Sequence, residues 1–158
     1  MITYRIFKNS DADEVANLVK ETMLTTNIKD YSEEYFNNDL NRLTAQGFIM
    51  RASYFHCYVF IDDTVNKIIA VGSIGAYWDK KDESSLFNIF VSPTYQGQGI
   101  GRQLIQVLEE DEYFKRARRI EIPASITALG FYQKMGYSFK NGNNIIDDEQ
   151  LYRLEKFK

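Results

Sequence analysis

The sequence has little of what several common kinds of site require. It contains one cysteine, Cys57, and one histidine, His56, so an internal disulfide and a zinc site of Cys and His ligands are excluded. A catalytic dyad would have to use His56, but this residue lies in an apolar run typical of a strand. We therefore interpret His56 as a strand residue without a catalytic duty.

Long apolar runs, linkers and an excess of basic charge are also missing. No stretch approaches the ~20 apolar residues of a membrane helix, and the N-terminus turns charged at Arg5 instead of continuing as a signal peptide. The formal net charge is −3, which argues against a module whose whole surface binds nucleic acid. With 158 residues and two prolines, we expect a single cytoplasmic domain over residues 1–158, with no membrane or nucleic-acid partner.

What the sequence does contain is a succession of strand and helix patterns. Their predicted order is β-α-α-β-β-β-α-β-α-β-β, an α/β class protein with a mixed sheet and helices on both faces. Strands are predicted at 2–7, 54–61, 67–78, 86–91, 119–122, 137–140 and 151–157, and helices at 11–23, 32–46, 100–108 and 128–135. Gly47 is expected to end the second helix, and Pro123 the fifth strand.

One segment indicates chemistry: Val91-Ser92-Pro93-Thr94-Tyr95-Gln96-Gly97-Gln98-Gly99-Ile100-Gly101-Arg102. A strand leads into a turn with three alternating glycines, and an amphipathic helix follows at once. Glycines allow positive φ and leave the backbone N–H groups uncovered. The helix start adds unpaired N–H groups and the positive end of its dipole. This arrangement predicts an anion site suited to phosphate or pyrophosphate.

Three other interpretations of this segment are open to comparison. A Walker loop requires Gly-Lys-Ser/Thr at its end, whereas this segment has Gly101-Arg102-Gln103. A nicotinamide-binding fingerprint requires its third glycine three residues after the second, and Arg102 stands at that place, although Glu121 lies at the usual distance of the ribose acid. A glycine-rich turn without a ligand is the third alternative.

The segment resembles a known family. Gln96-x-x-Gly99-x-Gly101 is similar to the Gln/Arg-x-x-Gly-x-Gly/Ala signature of the GCN5-related N-acetyltransferases (GNAT), and Val91-x-Pro93 resembles its usual lead-in. A second, independent match starts at Ser125 and resembles Asn-x-x-Ala-x-x-Phe-Tyr-x-Lys-x-Gly-Phe/Tyr. The matching residues of this second segment are Ala128, Phe131, Tyr132, Lys134, Gly136 and Tyr137. Ser125 departs from the family, where many members carry Asn.

The resemblance implies a GNAT-like acyl-CoA N-acyltransferase fold with acetyl-CoA as cosubstrate, held in a V-shaped gap between the strands on either side of the glycine loop and its helix. Backbone groups of three strand residues would pair with the pantetheine arm, the loop N–H groups would hold the pyrophosphate, and the Ser125 hydroxyl would take the place of the family's Asn. The implied cofactor-binding residues are Ile89, Phe90, Val91, Gln96, Gly97, Gln98, Gly99, Ile100, Gly101, Arg102 and Ser125.

The resemblance also implies a catalytic tyrosine and an acceptor site. Tyr132 matches the tyrosine near the thioester sulfur, where a phenol, with a reference pKa of ~10, can donate a proton to the leaving thiolate. Periodicity alone favours a core aromatic beside Phe131 for Tyr132, and the match to the family segment reverses this preference. The implied substrate-binding residues are Asn27, Tyr31, Trp78 and Asn88. The general base stays unassigned between Glu121 and an ordered water.

The leading hypothesis is a cytoplasmic acetyl-CoA-dependent N-acetyltransferase that moves an acetyl group to a primary amine of a small molecule or peptide, by direct transfer in a ternary complex. The alternative is a non-catalytic acyl-CoA-binding or sensing module. The acceptor, the use of other acyl groups and the oligomeric state, including a homodimer, are left open by the sequence.

Overall fold

A seven-stranded mixed sheet forms the centre of the part of the chain that the computed structural model describes, residues 1–27 and 32–158. The strand order is β1-β2-β3-β4-β5-β7-β6. All neighbouring strands are antiparallel except β4 and β5, which run parallel. The strands are β1 (Ile2–Ile6), β2 (His56–Asp62), β3 (Lys67–Ala76), β4 (Glu83–Val91), β5 (Arg119–Ala124), β6 (Ser138–Phe139) and β7 (Tyr152–Phe157).

Helices cover both faces of this sheet, because alternate strand residues are apolar on each side. The helices are α1 (Ala12–Thr22), α2 (Glu33–Arg42), α3 (Ala45–Ala52), α4 (Ile100–Glu109), α5 (Glu112–Arg116) and α6 (Leu129–Lys134), and α1 continues into a π-helical turn at Met23–Asn27. On one face, α4 and Tyr132 of α6 pack against Ile69, Ile74 and Leu86. On the other, α1, α2 and α3 pack against Val59 and Val71. Within the described residues, no helix combines the length and apolar character that crossing a membrane requires.

The sheet is split between its two parallel strands. β4 and β5 pair over three positions only, from Glu83 opposite Arg119 to Ser85 opposite Glu121, and beyond that point the two strands diverge. The divergence coincides with an irregularity in β4, where the register against β3 shifts between Phe87 and Phe90. Asn88 lies in this stretch with φ of 52°, and Asn is among the residues that tolerate this left-handed conformation best. A bulge of this kind bends a strand and redirects its polar groups.

The predicted fold class and the order of the seven strands are confirmed, whereas two short helices, α3 and α5, were not expected. Gly47 does not end a helix: it lies inside α3, whose first turn is capped by the Thr44 hydroxyl. A side chain at Gly47 would collide with the carbonyl oxygen of Arg42, so this glycine permits a close approach of α2 to α3.

Two other predicted boundaries were also wrong. Pro123 does not end β5, which continues to Ala124. Because β4 has already separated at this point, the missing N–H of Pro123 removes no hydrogen bond from the β4–β5 ladder. β3 ends at Ala76 and not at Trp78, whose φ of 53° is incompatible with a strand.

Candidate functional site

A cavity of about 900 Å³ occupies the opening between the diverging strands. Its walls come from the ends of β3, β4 and β5, from the glycine loop with the start of α4, and from α1, α2, α3 and α6. The cavity thus reaches the helices on both faces of the sheet. Among the predicted site residues, it is lined by Trp78, Asn88, Ile89, Phe90, Val91, Gln96, Gly97, Gly99, Ile100, Gly101, Arg102, Ser125 and Tyr132.

The glycine loop forms one end of this cavity with an uncovered backbone. Gly97 and Gly99 have φ of 77° and 81°, a region that L-residues rarely adopt. A Cβ added to either glycine would meet no atom within 4 Å, so the space above their backbone is empty. Gly99 is also the N-cap of α4 and its carbonyl accepts from the N–H of Gln103. The first N–H groups of α4 therefore lie at the edge of this space without partners inside the helix.

Two side chains hold the loop in shape. The Gln96 amide donates to the carbonyl oxygen of Val91 over 3.0 Å, and the Gln98 amide reaches the carbonyl oxygen of Thr94 at 3.4 Å. Gly101 is needed for a different reason from the other two glycines, because an added Cβ would stand 3.3 Å from the Phe131 ring of α6. The residues present thus provide a concave main-chain surface at a helix start, which suits a diphosphate.

The edge of β4 beyond the bulge presents backbone polar groups to the cavity. Ser92 N–H donates to Ile69 O of β3 over 2.8 Å. Because consecutive residues of a strand direct their N–H groups to opposite sides, the N–H of Val91 points away from β3, toward the opening. Phe90 is paired with Val71 of β3 and also lines the cavity. This edge has the form of a strand without a neighbour.

Tyr132 reaches the cavity from α6, on the same face as α4. Its side chain is 6% exposed, so most of the ring packs in the core and part of its surface lines the cavity. Ser125, at the end of β5, is largely buried, and its hydroxyl accepts from the N–H of Ala128 over 3.2 Å. Ser125 therefore stabilises the turn that leads into α6, besides lining the cavity.

The predicted acceptor residues are only partly brought together. Asn88 and Trp78 line the cavity, and Trp78 is 81% exposed at its mouth. Asn27 ends the π-helical turn after α1, and Tyr31 lies outside the described residues. Within the turn, the Thr26 hydroxyl donates to the carbonyl oxygen of Thr22 over 2.8 Å, and both threonines line the cavity.

A buried group of charges stands where β4, β5 and β7 meet, at the closed end of the split. Arg119 contacts Glu83 at 2.9 Å, Glu121 at 2.6 Å and Glu155 at 2.8 Å. Burial alone would lower the pKa of Arg119, but the hydrogen bonds that its guanidinium donates to these carboxylates outweigh burial and raise the pKa above its usual value. Of the three acids only Glu121 lines the cavity, and it also contacts Lys140 at 2.9 Å.

Several residues of the cavity lining were not predicted from the sequence. Phe55 and Phe87 line the cavity with an edge-to-face contact of 4.7 Å between ring centroids, and Arg51 of α3 also lines it. The helix that carries Arg51 was not predicted, so no signal in the sequence pointed to it. His56, in contrast, contacts Asp111 at 2.8 Å and does not line the cavity.

The chain matches the acetyltransferase (GNAT) domain family over residues 53–139. Among curated proteins it is similar to an Escherichia coli K12 enzyme, [ribosomal protein bS18]-alanine N-acetyltransferase. The two are 43% identical over 61 residues, which span 36% of this chain and 40% of that relative.

Solved structures with the same fold include the PaiA N-acetyltransferase from Thermoplasma acidophilum in complex with coenzyme A. The TM-score is 0.82 at 17% identity, over 100% of this chain and 99% of the other. A chimeric spermidine N-acetyltransferase from Vibrio cholerae and hSSAT gives a TM-score of 0.68 at 16% identity, over 99% and 95% of the two chains. At these identities the similarity concerns the fold.

Proposed function

The chain belongs to the GNAT family of N-acetyltransferases, and from this premise we propose that residues 1–158 act as one domain that transfers an acetyl group from acetyl-CoA to an amine, directly and in a ternary complex. The observation that carries the proposal is the cavity that joins the glycine loop, the split between β4 and β5, and Tyr132. Acetyl-CoA supplies the activated acyl group when it is bound.

The glycine loop would bind the diphosphate. The N–H groups of residues 96–102 supply donors at a helix start, and the empty space above Gly97 and Gly99 supports this assignment. The edge of β4 that faces the opening would bind the pantetheine arm by main-chain hydrogen bonds from Val91 and, by the same alternation, Ile89, as an added strand does. The backbone of Phe90 pairs with Val71 of β3, so Phe90 would only line the cavity beside the arm. Ser125 would contribute its hydroxyl where many members of the family carry an amide.

Val91 and Tyr132 would act on the reacting group. The outward N–H of Val91 can donate to the carbonyl oxygen of the thioester, where negative charge develops, and such a fixed donor acts without reorganisation. The Tyr132 hydroxyl can donate its proton to the leaving sulfur, a role typically worth ~10²–10⁴-fold in rate. Between them, these groups orient the thioester and stabilise the charge that moves through it.

The proton of the attacking amine needs an acceptor, and Glu121 is one of three carboxylates of the described residues that line the cavity. Its Oε1 atom is occupied by Arg119 and Lys140, whereas its Oε2 atom has Arg153 at 4.0 Å. Glu121, acting through Oε2, and a water molecule on backbone carbonyls are the two candidates. A Glu121→Gln variant separates them, because only the first predicts a large loss of kcat when this carboxylate is replaced by an amide.

For the acceptor, the similarities suggest a protein N-terminus, by the activity named for the E. coli relative, or a polyamine, by the name of the spermidine enzyme. The test is a panel of amines that contains amino acids, peptides with free N-termini and polyamines, with thiol release from acetyl-CoA as the readout. We expect release with at least one class and loss of most of it in Tyr132→Phe. Binding of acetyl-CoA without release for any amine would favour the acyl-CoA-sensing alternative.

A further inference from the structure

Within the described residues, one guanidinium group that lines the cavity has no anionic partner. Arg51 of α3 lines the cavity, and within the described residues its Nε and Nη2 atoms are buried without a hydrogen-bond partner. Its third nitrogen, Nη1, donates to the carbonyl oxygen of Arg42 over 3.3 Å. Nε and Nη2 together form one of the edges through which arginine binds a carboxylate with two parallel hydrogen bonds. This edge of Arg51 is unused.

Within the described residues Arg51 forms no ion pair, although the charge of Asp39 partly offsets that of Arg42. Arg42 is a close neighbour of Arg51 and itself a cation, and its contact with Asp39 at 2.5 Å occupies that carboxylate. Burial and then the charge of Arg42 lower the pKa of Arg51, as expected for a guanidinium in an apolar and cationic environment. The other carboxylates of the described lining are likewise paired, Glu121 with Arg119 and Lys140, and Glu149 with Arg153.

A buried charge without a partner is costly, because neither water nor an acceptor replaces its lost hydration. Departures from full pairing are expected at sites that receive their partner from a ligand. We propose that Arg51 binds an anionic group of the acceptor, so that the preferred amine substrate of this chain also carries a carboxylate. This inference rests on the proposed function, because it assigns the acceptor of the same cavity.

To make this contact the guanidinium of Arg51 must turn its Nε–Nη2 edge toward the cavity, a movement that the hydrogen bond of Nη1 to the Arg42 carbonyl opposes. The guanidinium stacks on the Phe48 ring, 5.1 Å from the centroid, and within the described residues Nε and Nη2 have no hydrogen bond that this turn would break. An acceptor with a carboxylate would satisfy both donors at once. A polyamine would bring further positive charge next to Arg51, which disfavours that class of acceptor.

The experiment compares acceptors that differ in one carboxylate. The pairs are alanyl-glutamyl-amide with alanyl-glutaminyl-amide, and alanyl-glycine with alanyl-glycinamide, each assayed for kcat/KM by thiol release. For at least one pair we expect kcat/KM to be higher for the carboxylate member by ~10-fold or more. The reason is that a hydrogen bond to a charged group is worth about one to two factors of ten in binding. In Arg51→Gln the preference should fall to about 2-fold, mainly through KM.

Arg118→Gln is the matched control, because it removes one positive charge from an exposed arginine that contacts Asp82 and does not line the cavity. It should keep the preference of the wild type. Equal kcat/KM within both pairs in the wild type, or an unchanged preference in Arg51→Gln, would overturn the proposal.

A readout without turnover separates this inference from the proposed function. With coenzyme A present, succinate should raise the melting temperature of the wild type and of Arg118→Gln, but not that of Arg51→Gln. If no amine is acetylated, the proposed function fails, and the succinate result still decides the anion site. Equal succinate shifts in all three proteins would refute the role of Arg51.

Discussion

Substitution of Gly99 tests whether the concave backbone of the glycine loop binds the cosubstrate. Gly99 has φ of 81°, and the position of an added Cβ is free of protein atoms. Gly142 offers a matched control, since it has φ of 71° and equally open space, but lies in the turn before β7 and outside the cavity lining. The pair Gly99→Glu and Gly142→Glu therefore carries the same backbone cost at two places.

The expected magnitudes follow from this geometry. A left-handed conformation costs an L-residue about 1–2 kcal/mol, and for a chain of this length each kcal/mol lowers the melting temperature by ~2–4 °C. Both variants should thus melt ~2–8 °C below the wild type. Only Gly99→Glu places a side chain and a negative charge where we propose the diphosphate, so its affinity for coenzyme A should fall by ~100-fold or more.

The assay is the dissociation constant of coenzyme A by calorimetry, together with the shift in melting temperature that coenzyme A produces. At 100-fold excess over the dissociation constant the wild type should gain ~2.7 kcal/mol, and Gly142→Glu should gain the same. At the same concentration Gly99→Glu, with its ~100-fold or more weaker binding, should gain only ~0.4 kcal/mol or less. Unchanged affinity in Gly99→Glu, or equal losses in the two variants, would refute the assignment of the loop.

Three further predictions concern single side chains. Tyr132→Phe should lower kcat by ~10-fold or more and leave the affinity for coenzyme A unchanged; a fully active variant would remove Tyr132 from the mechanism. The hydrogen bond from Arg5 holds the pKa of Asp11 below its usual value, so its contribution to stability is present above the unfolded pKa of ~4 and is lost as the pH falls through the folded value. Asp11→Asn should therefore be less stable than the wild type at pH ~7, and the difference should shrink as the pH falls below ~4, as measured by urea unfolding. Burial raises the pKa of the Cys57 thiol to about 11, so iodoacetamide at neutral pH should modify the urea-unfolded chain and spare the folded one, as read by mass spectrometry.

The strands and the glycine loop were predictable because their signals are local. Short runs rich in aromatic and β-branched residues indicate β2 and β3, and Gly97 and Gly99 adopt the positive φ for which the turn needs glycine. The bulge at Asn88 also left a trace in the sequence, as an asparagine within an apolar strand. The phosphate site that we propose uses main-chain atoms and therefore needs glycines, and glycines can be recognised directly in a sequence.

Other features depend on tertiary contacts that no local pattern contains. Gly47 has the appearance of a helix terminator, but the structure uses it for the close approach to the Arg42 carbonyl. Pro123 has the appearance of a strand terminator, but β5 continues through it, because β4 no longer pairs with β5 at that residue. The role proposed for Arg51 rests on two donors that have no partner within the described residues, and a missing contact can be recognised only when the neighbouring residues are in place.

The parallel strands at the centre of the sheet are bonded over three residue pairs, and Arg119 joins Glu83, Glu121 and Glu155 on three adjacent strands at that end. The sheet therefore consists of two half-sheets, β1-β2-β3-β4 and β5-β7-β6, whose strands are hydrogen-bonded to each other at one end only. A molecule bound by both half-sheets would add contacts to those of the core along the stretch where β4 and β5 do not pair. On the proposed function, the two half-sheets would become less rigidly connected each time coenzyme A leaves, and more rigidly connected when the next acetyl-CoA binds.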